Sequence, residues 1–402
     1  MDKVEHIVIF KNRAEYDAAG GKKLHKRGKP SPLDHYTIYL KEEKEVLYDY
    51  AVETDIVVKD INNKTYKIEV PEDVTVADYS LFQDLIETKK ISTDQWKYLY
   101  IPEGIERFGL RDESKYIFPE YPNLERVELP DGLTTLDSYA FSKAGSNTNA
   151  GLSITIPDTV VTMGQYIFQK SKIKNIILPK GITTIPYAFF YCCQFENTEF
   201  KIPSSVTTID IYAFAYSNIV NAKLPEGLKV INGSAFGSSS YSGYNGILTL
   251  PKNLDVLGGY SFAYCKNIRI LNLYGSSKLT TILDHTFYHC YNLKEVFSYH
   301  SFDTIRYDVF GFCGFSKIYL LNIKNLVSRT FIGCPSLKEV YVSNISTGFS
   351  IGGYIFTGCP SISDLYVQGI TKATWDSMQK DTNWKGTNRS ITIHCSDATF
   401  TV

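Results

Sequence analysis

The chain has 402 residues, 44% hydrophobic and 14% aromatic with 30 Tyr and 23 Phe, so it is long enough to bury an extended core. Its formal charge of -1 gives no electrostatic basis for nucleic acid or an anionic membrane as partner. No apolar run approaches the length of a membrane span.

Residues 1–64 read as a small α+β module. "HIVIF" predicts a strand, "NRAEYDAA" a short helix opened by Asn12, "GGKKLHKRGKPSP" a basic loop, and "HYTIYLKEEKEVLYDY" a strand pair turning about Lys41 to Lys44. The opening "MDKVEHIVIF" holds only a four-residue apolar run from Ile7 to Phe10, too short for a legible secretion signal.

From about Thr65 a repeat takes over. Phenylalanines recur at Phe118, Phe141, Phe168, Phe189, Phe214, Phe236, Phe262, Phe287, Phe310, Phe331 and Phe356, at spacings of 21 to 27 residues, a period that means a solenoid. An apolar-Pro pair precedes the Phe in the rungs up to Phe262, as in "LPDGLTTLDSYAF" and "IPSSVTTIDIYAF". The Pro lies 11 residues ahead at Pro130, Pro157, Pro203, Pro225 and Pro251, and 10 ahead at Pro179. Phe82 follows Pro71 by 11, and an insertion separates Pro102 from Phe118. Upstream of each Pro an alternating run such as "LERVELP" predicts a short half-buried strand, which Pro closes because it has no N–H for a ladder. Stacking one strand per repeat predicts a continuous parallel sheet of about twelve rungs.

These residues carry a family likeness. The combination of LxxVxLP, a TxI step and an AFxxC box resembles the BspA-type leucine-rich repeat, most fully in "LPKNLDVLGGYSFAYCKNIRILNL" and "LTTILDHTFYHCYNLKEV". The resemblance covers roughly residues 65–370 and implies a β-rich, leucine-rich-repeat superhelix of the kind found on bacterial surface and adhesion proteins. Residues 371–402 look like the cap that follows such arrays, with Trp375 and Trp384 available to cover the last rung. In the last rungs Tyr274, Tyr299, Leu321, Ser343 and Gln368 replace the Pro. "VIFKNRAEYDAA" and "EKEVLYDY" weakly resemble an amino-terminal segment on structural proteins of gut-bacterial phages and on proteins of their hosts, which implies docking of residues 1–64 to a larger assembly.

Six of the eight cysteines lie three residues after a repeat Phe: Cys192, Cys265, Cys290, Cys313, Cys334 and Cys359. The same column elsewhere holds Leu85, Tyr121, Ala144, Ser171, Ser217 and Ser239; accepting Cys, Ser and Ala, it reads as a packing site for a small side chain, with bridging between adjacent rungs as the alternative. Cys193 and Cys395 fall outside it. His285, His289 and Cys290 have the spacing of a metal set, but the repeat frame assigns them to ordinary turn positions otherwise rich in Tyr. No phosphate loop, nucleophile elbow or HExxH occurs, so neither cofactor nor catalytic residue is expected.

Recognition is the function class left. Two places before the Pro position, on the outer side of each strand, stand Phe297, Tyr319, Tyr341 and Tyr366 in consecutive rungs, one aromatic ladder on a sheet expected to line the concave face. Two places earlier, Glu295, Lys317, Glu339 and Asp364 would supply hydrogen bonds. Such a row suits a protein or glycan ligand, or else the rings only brace neighbouring strands. A second stripe, Tyr139, Tyr166, Tyr187, Tyr212, Tyr260 and Tyr354, lies two before the Phe and reads as turn packing. Three settings remain open: a cell-surface adhesin, a phage virion component that binds a receptor, and a cytosolic scaffold.

Overall fold

The computed structural model describes residues 55–402 apart from 72, 111–118, 197–199, 221, 241–245, 299, 344–347 and 388–389; upstream it describes the strands Val4–Phe10, Asp34–Leu40 and Glu45–Leu47. The first two of these pair in parallel and the last two antiparallel, in agreement with the strand and strand pair read from the sequence. The helix expected at "NRAEYDAA", the basic loop, Phe118 and Tyr299 lie outside the described residues.

Most turns of the solenoid contribute one longer strand, one two-residue strand and one irregular turn, the turn between Thr208–Ile209 and Val230–Ile231 lacking the longer strand. Residues 126–144 show why. Arg126–Glu128 alternates exposed, buried and half-buried, so Val127 alone enters the core. The Pro130 carbonyl then accepts from the Leu133 N–H at 3.1 Å and bends the chain into the strand Thr135–Leu136. Past Asp137 the backbone turns left-handed at two residues four apart: Tyr139 and Lys143 sit at φ 63° and 55°. Tyr139, Phe141 and Lys143 donate to the next rung, at Gln165, Ile167 and Gln169, while Ala140 and Ser142 close three-residue turns within their own rung. Those cross-rung bonds offset the roughly 1 to 2 kcal/mol that a left-handed, side-chain-bearing residue costs.

The two-residue strands form three four-stranded sheets, twelve strands in all among the described residues. The longer strands were expected as one continuous sheet and form two: a seven-stranded sheet ending at Gln194–Phe195, and an eight-stranded one starting at Ile247–Thr249. The first edge ends on a side chain. The Asn218 amide donates to the Phe195 carbonyl and accepts from its N–H, so both ladder groups of Phe195 are satisfied without a neighbouring strand. Proline sets where the strand ends. Arg126–Glu128, Leu152–Thr155 and Lys172–Ile177 each stop two residues short of it, whereas Lys317–Leu321 and Glu339–Ser343 run through the position and pair at Leu321 and Ser343.

The rings stack along the solenoid axis. Phe214, Phe236 and Phe262 are fully buried, with centroids 5.1 and 5.2 Å apart and planes within 5°. One assignment changes: in the rung between Phe168 and Phe214 the stack passes through Phe190, parallel to Phe168 at 5.6 Å and to Phe214 at 5.3 Å, while Phe189 packs edge-on beside it. Phe190 is 11 residues past Pro179, so the spacing is constant and the offset of 10 belonged to a neighbour.

The thiol column shifts with it, from Cys192 to Cys193. Cys193, Cys265, Cys290, Cys313, Cys334 and Cys359 are buried, and all eight cysteines are free. Their small size is half the explanation. Cys265, Cys290, Cys313, Cys334 and Cys359 each point Sγ at the carbonyl of the previous rung's Phe, at 2.9 to 3.3 Å, as Ser171 Oγ does to Phe141 O at 2.8 Å. In these six rungs the column takes a small S–H or O–H donor, while Ala144 fits on size alone and Ser217 Oγ donates within its own rung, to Phe214 O at 2.7 Å. Burial pushes the Cys265 thiol up to about 12 and holds Cys193, Cys290 and Cys313 above the ordinary range. Maleimide labelling of the native chain is expected at Cys192 and Cys395, the two half-buried thiols, and at the other six only after denaturation. Rapid native labelling of Cys313 would contradict the column.

Both ends are closed. Ile56–Asp60 lies antiparallel to Trp96–Tyr100 and pairs with Thr65–Ile68, so the array's sheet reaches upstream of Thr65. At the other end Trp384 meets Phe356 edge-on at 6.0 Å and Trp375 at 5.9 Å, covering the last Phe. Thr392–His394 adds a parallel strand and Thr399–Thr401 turns back against it.

Candidate functional site

Strand alternation delivers the aromatic ladder to the surface. Glu295–Ser298 and Lys317–Leu321 bury every second residue, so Val296, Ile318 and Leu320 enter the core while Phe297 and Tyr319 remain 37% and 46% exposed. Registers Phe297 to Tyr319, Tyr319 to Tyr341 and Tyr341 to Tyr366 are direct neighbours in the parallel sheet. Three rings stack face to face: Tyr319 on Tyr341 at 4.5 Å and Tyr341 on Tyr366 at 4.2 Å, with planes 18° and 4° apart.

The stack runs one rung further than sequence reasoning took it. His394 pairs with Tyr366 across the strands and lies 4.1 Å from its ring at 8°. The repeat frame had stopped at the cap, yet "ITIHC" continues the alternation, with Ile391 and Ile393 buried and His394 facing out. That alternation was the missed signal.

The polar row beside the rings is largely paired within itself. Lys317 Nζ lies 2.8 Å from Glu339 Oε2, to which the Tyr341 hydroxyl also donates. His394 Nε2 lies 2.7 Å from Asp364 Oδ1, and Ser363 Oγ donates to Asp364 Oδ2 at 2.6 Å. Glu295 stands exposed at the edge of the row. Rings at this spacing cover one another's faces, so the surface they present consists of ring edges, phenolic oxygens and one ammonium–carboxylate pair.

His285, His289 and Cys290 do not converge. Cys290 points inward at Phe262 O, His289 is sandwiched between Tyr264 and Phe312 at 4.7 and 4.3 Å, and His285 bonds Asp308 at 3.1 Å. No group of three His, Cys, Asp or Glu side chains suited to a metal occurs among the described residues. No helix among them is long and apolar enough to cross a membrane.

A family model for the BspA type leucine-rich repeat region matches six copies, over residues 61–150, 111–242, 145–269 and 257–382. The chain belongs to the BspA-type leucine-rich repeat family. No curated protein matches it. Among solved structures, a leucine-rich repeat protein from Bacteroides ovatus is 18% identical, with 83% of this chain and 99% of that one covered and a TM-score of 0.44. A leucine rich cell surface protein from Faecalibacterium prausnitzii is 13% identical over 83% of this chain and 98% of that one, at 0.37. The pneumococcal vaccine antigen PcpA is 16% identical over 81% and 78%, at 0.38.

In this BspA-type array the ladder's carboxylates carry a pH signature. The Lys317 ammonium and then the Tyr341 hydroxyl hold Glu339 below its ordinary range, and His394 and then Ser363 do the same for Asp364. A carboxylate depressed on folding stabilises the folded state above its unfolded value, near 4 for both types, and loses that contribution as pH falls through the folded value. Both groups are half-buried at the sheet surface, where solvent still screens the pairs, so the energy is modest. Carboxyl-detected NMR titration is expected to find both midpoints below the unfolded values; midpoints at or above them would contradict the pairing.

Proposed function

We propose that this BspA-type repeat protein is a non-enzymatic binding protein, working at a cell surface, that docks a protein partner on the exposed face of its C-terminal parallel sheet. The observation that carries this reading is the stack of Tyr319, Tyr341 and Tyr366 beside exposed Phe297: large rings held rigid by their neighbours, with Tyr319 in solvent and Tyr341 and Tyr366 half-buried. Rigid aromatics lose little entropy on binding, which is why they dominate interface energetics. A protein fits this face better than a sugar. A pyranose stacks its C–H face on an open ring, and here ring faces are spent on one another while edges and hydroxyls point out. The surface setting rests on the family.

The test is a binding screen of the intact chain against cell-surface proteins and glycans, followed by hydrogen-exchange footprinting of whatever binds. Protection is expected in Glu295–Ser298, Lys317–Leu321, Glu339–Ser343 and Asp364–Val367. A bound protein that protects only the turns or the amino-terminal strands would overturn the assignment.

A further inference from the structure

The turn side of the solenoid carries its own rows of side chains. Each turn holds two left-handed residues four apart, with the core Phe between them. The first row runs Tyr139, Tyr166, Ala188, Tyr212, Ser234, Tyr260 and His285; the second runs Lys143, Lys170, Cys192, Tyr216, Ser238, Tyr264 and His289. Their φ angles cluster between 49° and 63°, so equivalent side chains leave the backbone in one direction. Stacking fills the rows where aromatics are adjacent: Tyr139 on Tyr166 at 4.9 Å, Tyr260 on His285 at 4.3 Å and Tyr264 on His289 at 4.7 Å.

Small side chains interrupt both rows at two turns: beside Ala188 and Cys192 the gap is filled by Tyr187 and Tyr191, edge-on to Tyr212 and Tyr216, whereas no such ring is found among the described residues beside the turn with Ser234 and Ser238. Tyr212 and Tyr216 stand one rung before it, bonded through their N–H groups to Gly233 and Gly237; Ser234 and Ser238 bond in turn to Gly259 and Ala263, in the rung of Tyr260 and Tyr264. Two rungs span roughly 9 to 10 Å, and two successive ring contacts at 4.5 Å or more need about 9 Å, so the missing side chains leave a slot one ring thick. Its far wall is an aromatic face. Tyr260 and Tyr264 lie parallel to His285 and His289 within 6° and 12°, so one face of each is covered and the other looks back over Ser234 and Ser238. All four tyrosines bordering the slot are well exposed, Tyr216 at 57%.

A second feature meets the first at Tyr264. A cavity of about 290 Å³ is lined by Ser238, Ser239, Ser240, Tyr264, Lys266 and Asn267. Its rim is fixed, since Asn267 Nδ2 donates to Ser240 O at 2.8 Å and leaves the amide oxygen as an acceptor. Hydroxyls, an amide and an ammonium beside an open aromatic face are complementary to a sugar, whose C–H face stacks while its hydroxyls find donors and acceptors.

We propose that this slot is a carbohydrate subsite that seats one hexopyranose unit of a glycan, with Tyr264 under the ring and Ser238, Ser240, Lys266 and Asn267 around its hydroxyls. It lies on a different face from the tyrosine ladder, and it differs from the ladder in presenting ring faces instead of edges. The test is affinity electrophoresis of the full chain in gels containing mannan, dextran or galactan. Ser238→Tyr fills the slot with the residue that neighbouring turns carry at the same backbone conformation, so the fold tolerates it. Retardation of the native chain by at least one polysaccharide is expected, with about tenfold weaker binding or more in Ser238→Tyr at an unchanged melting temperature. Tyr341→Ala, which touches only the ladder, should bind the polysaccharide like the native chain. No retardation by any polysaccharide, equal binding by Ser238→Tyr, loss in Tyr341→Ala instead, or protection of this slot by a protein partner alone would each overturn the proposal.

Discussion

Phe236→Ala is expected to lower stability by about 3 to 5 kcal/mol, the largest loss from any single side chain of the array. Phe236 is fully buried between Phe214 and Phe262, with ring planes within 5° of both. The void cannot close, because the backbone on either side is pinned: the Phe236 N–H donates to Ser261 O at 2.8 Å, and Cys265 Sγ reaches Phe236 O at 3.1 Å. A solenoid couples each rung only to its neighbours, so a weak centre also divides the unfolding transition. Denaturation followed by hydrogen exchange should show protection lost first in the rungs of Phe214, Phe236 and Phe262. A loss under about 1 kcal/mol would mean that the ring column is not the core.

The second large effect is on binding. Removing Tyr319, Tyr341 and Tyr366 together is expected to weaken the partner complex by about 100-fold or more, since buried aromatic anchors carry about 2 kcal/mol or more each at an interface. The same change should cost the fold much less. Cross-strand aromatic pairs contribute roughly 0.2 to 1 kcal/mol each, and the two Tyr pairs sit on the exposed side of strands whose core residues, Ile318, Val340 and Leu365, are untouched. Affinity and stability therefore separate, which a purely bracing role for the rings would not allow.

Most of the architecture was readable because it repeats. The spacing from Pro to Phe marks one bend per turn, and the alternation before the Pro marks which side chains enter the core, so the outward placement of Phe297 and Tyr319 followed from counting. Counting failed where two residues could fill one slot. "AFFYCC" offers Phe189 and Phe190, Cys192 and Cys193, and only the constant distance of 11 from Pro179 selects the second of each. The sheet break was hidden for another reason: Asn218 is unremarkable in sequence, and its role depends on meeting the Phe195 backbone from the next rung. Likewise the pairing of Lys317 with Glu339 and of Asp364 with His394 arises from strand register in three dimensions. It turns the supposed free hydrogen-bonding groups into supports for the rings.

The account stands or falls on calorimetric titration of the captured protein partner into the native chain and into a Tyr319→Ala, Tyr341→Ala, Tyr366→Ala variant, with thermal unfolding recorded for both. It predicts an affinity loss of about 100-fold or more with cooperative melting retained. Unchanged affinity in a destabilised variant would show that the ladder only braces the sheet.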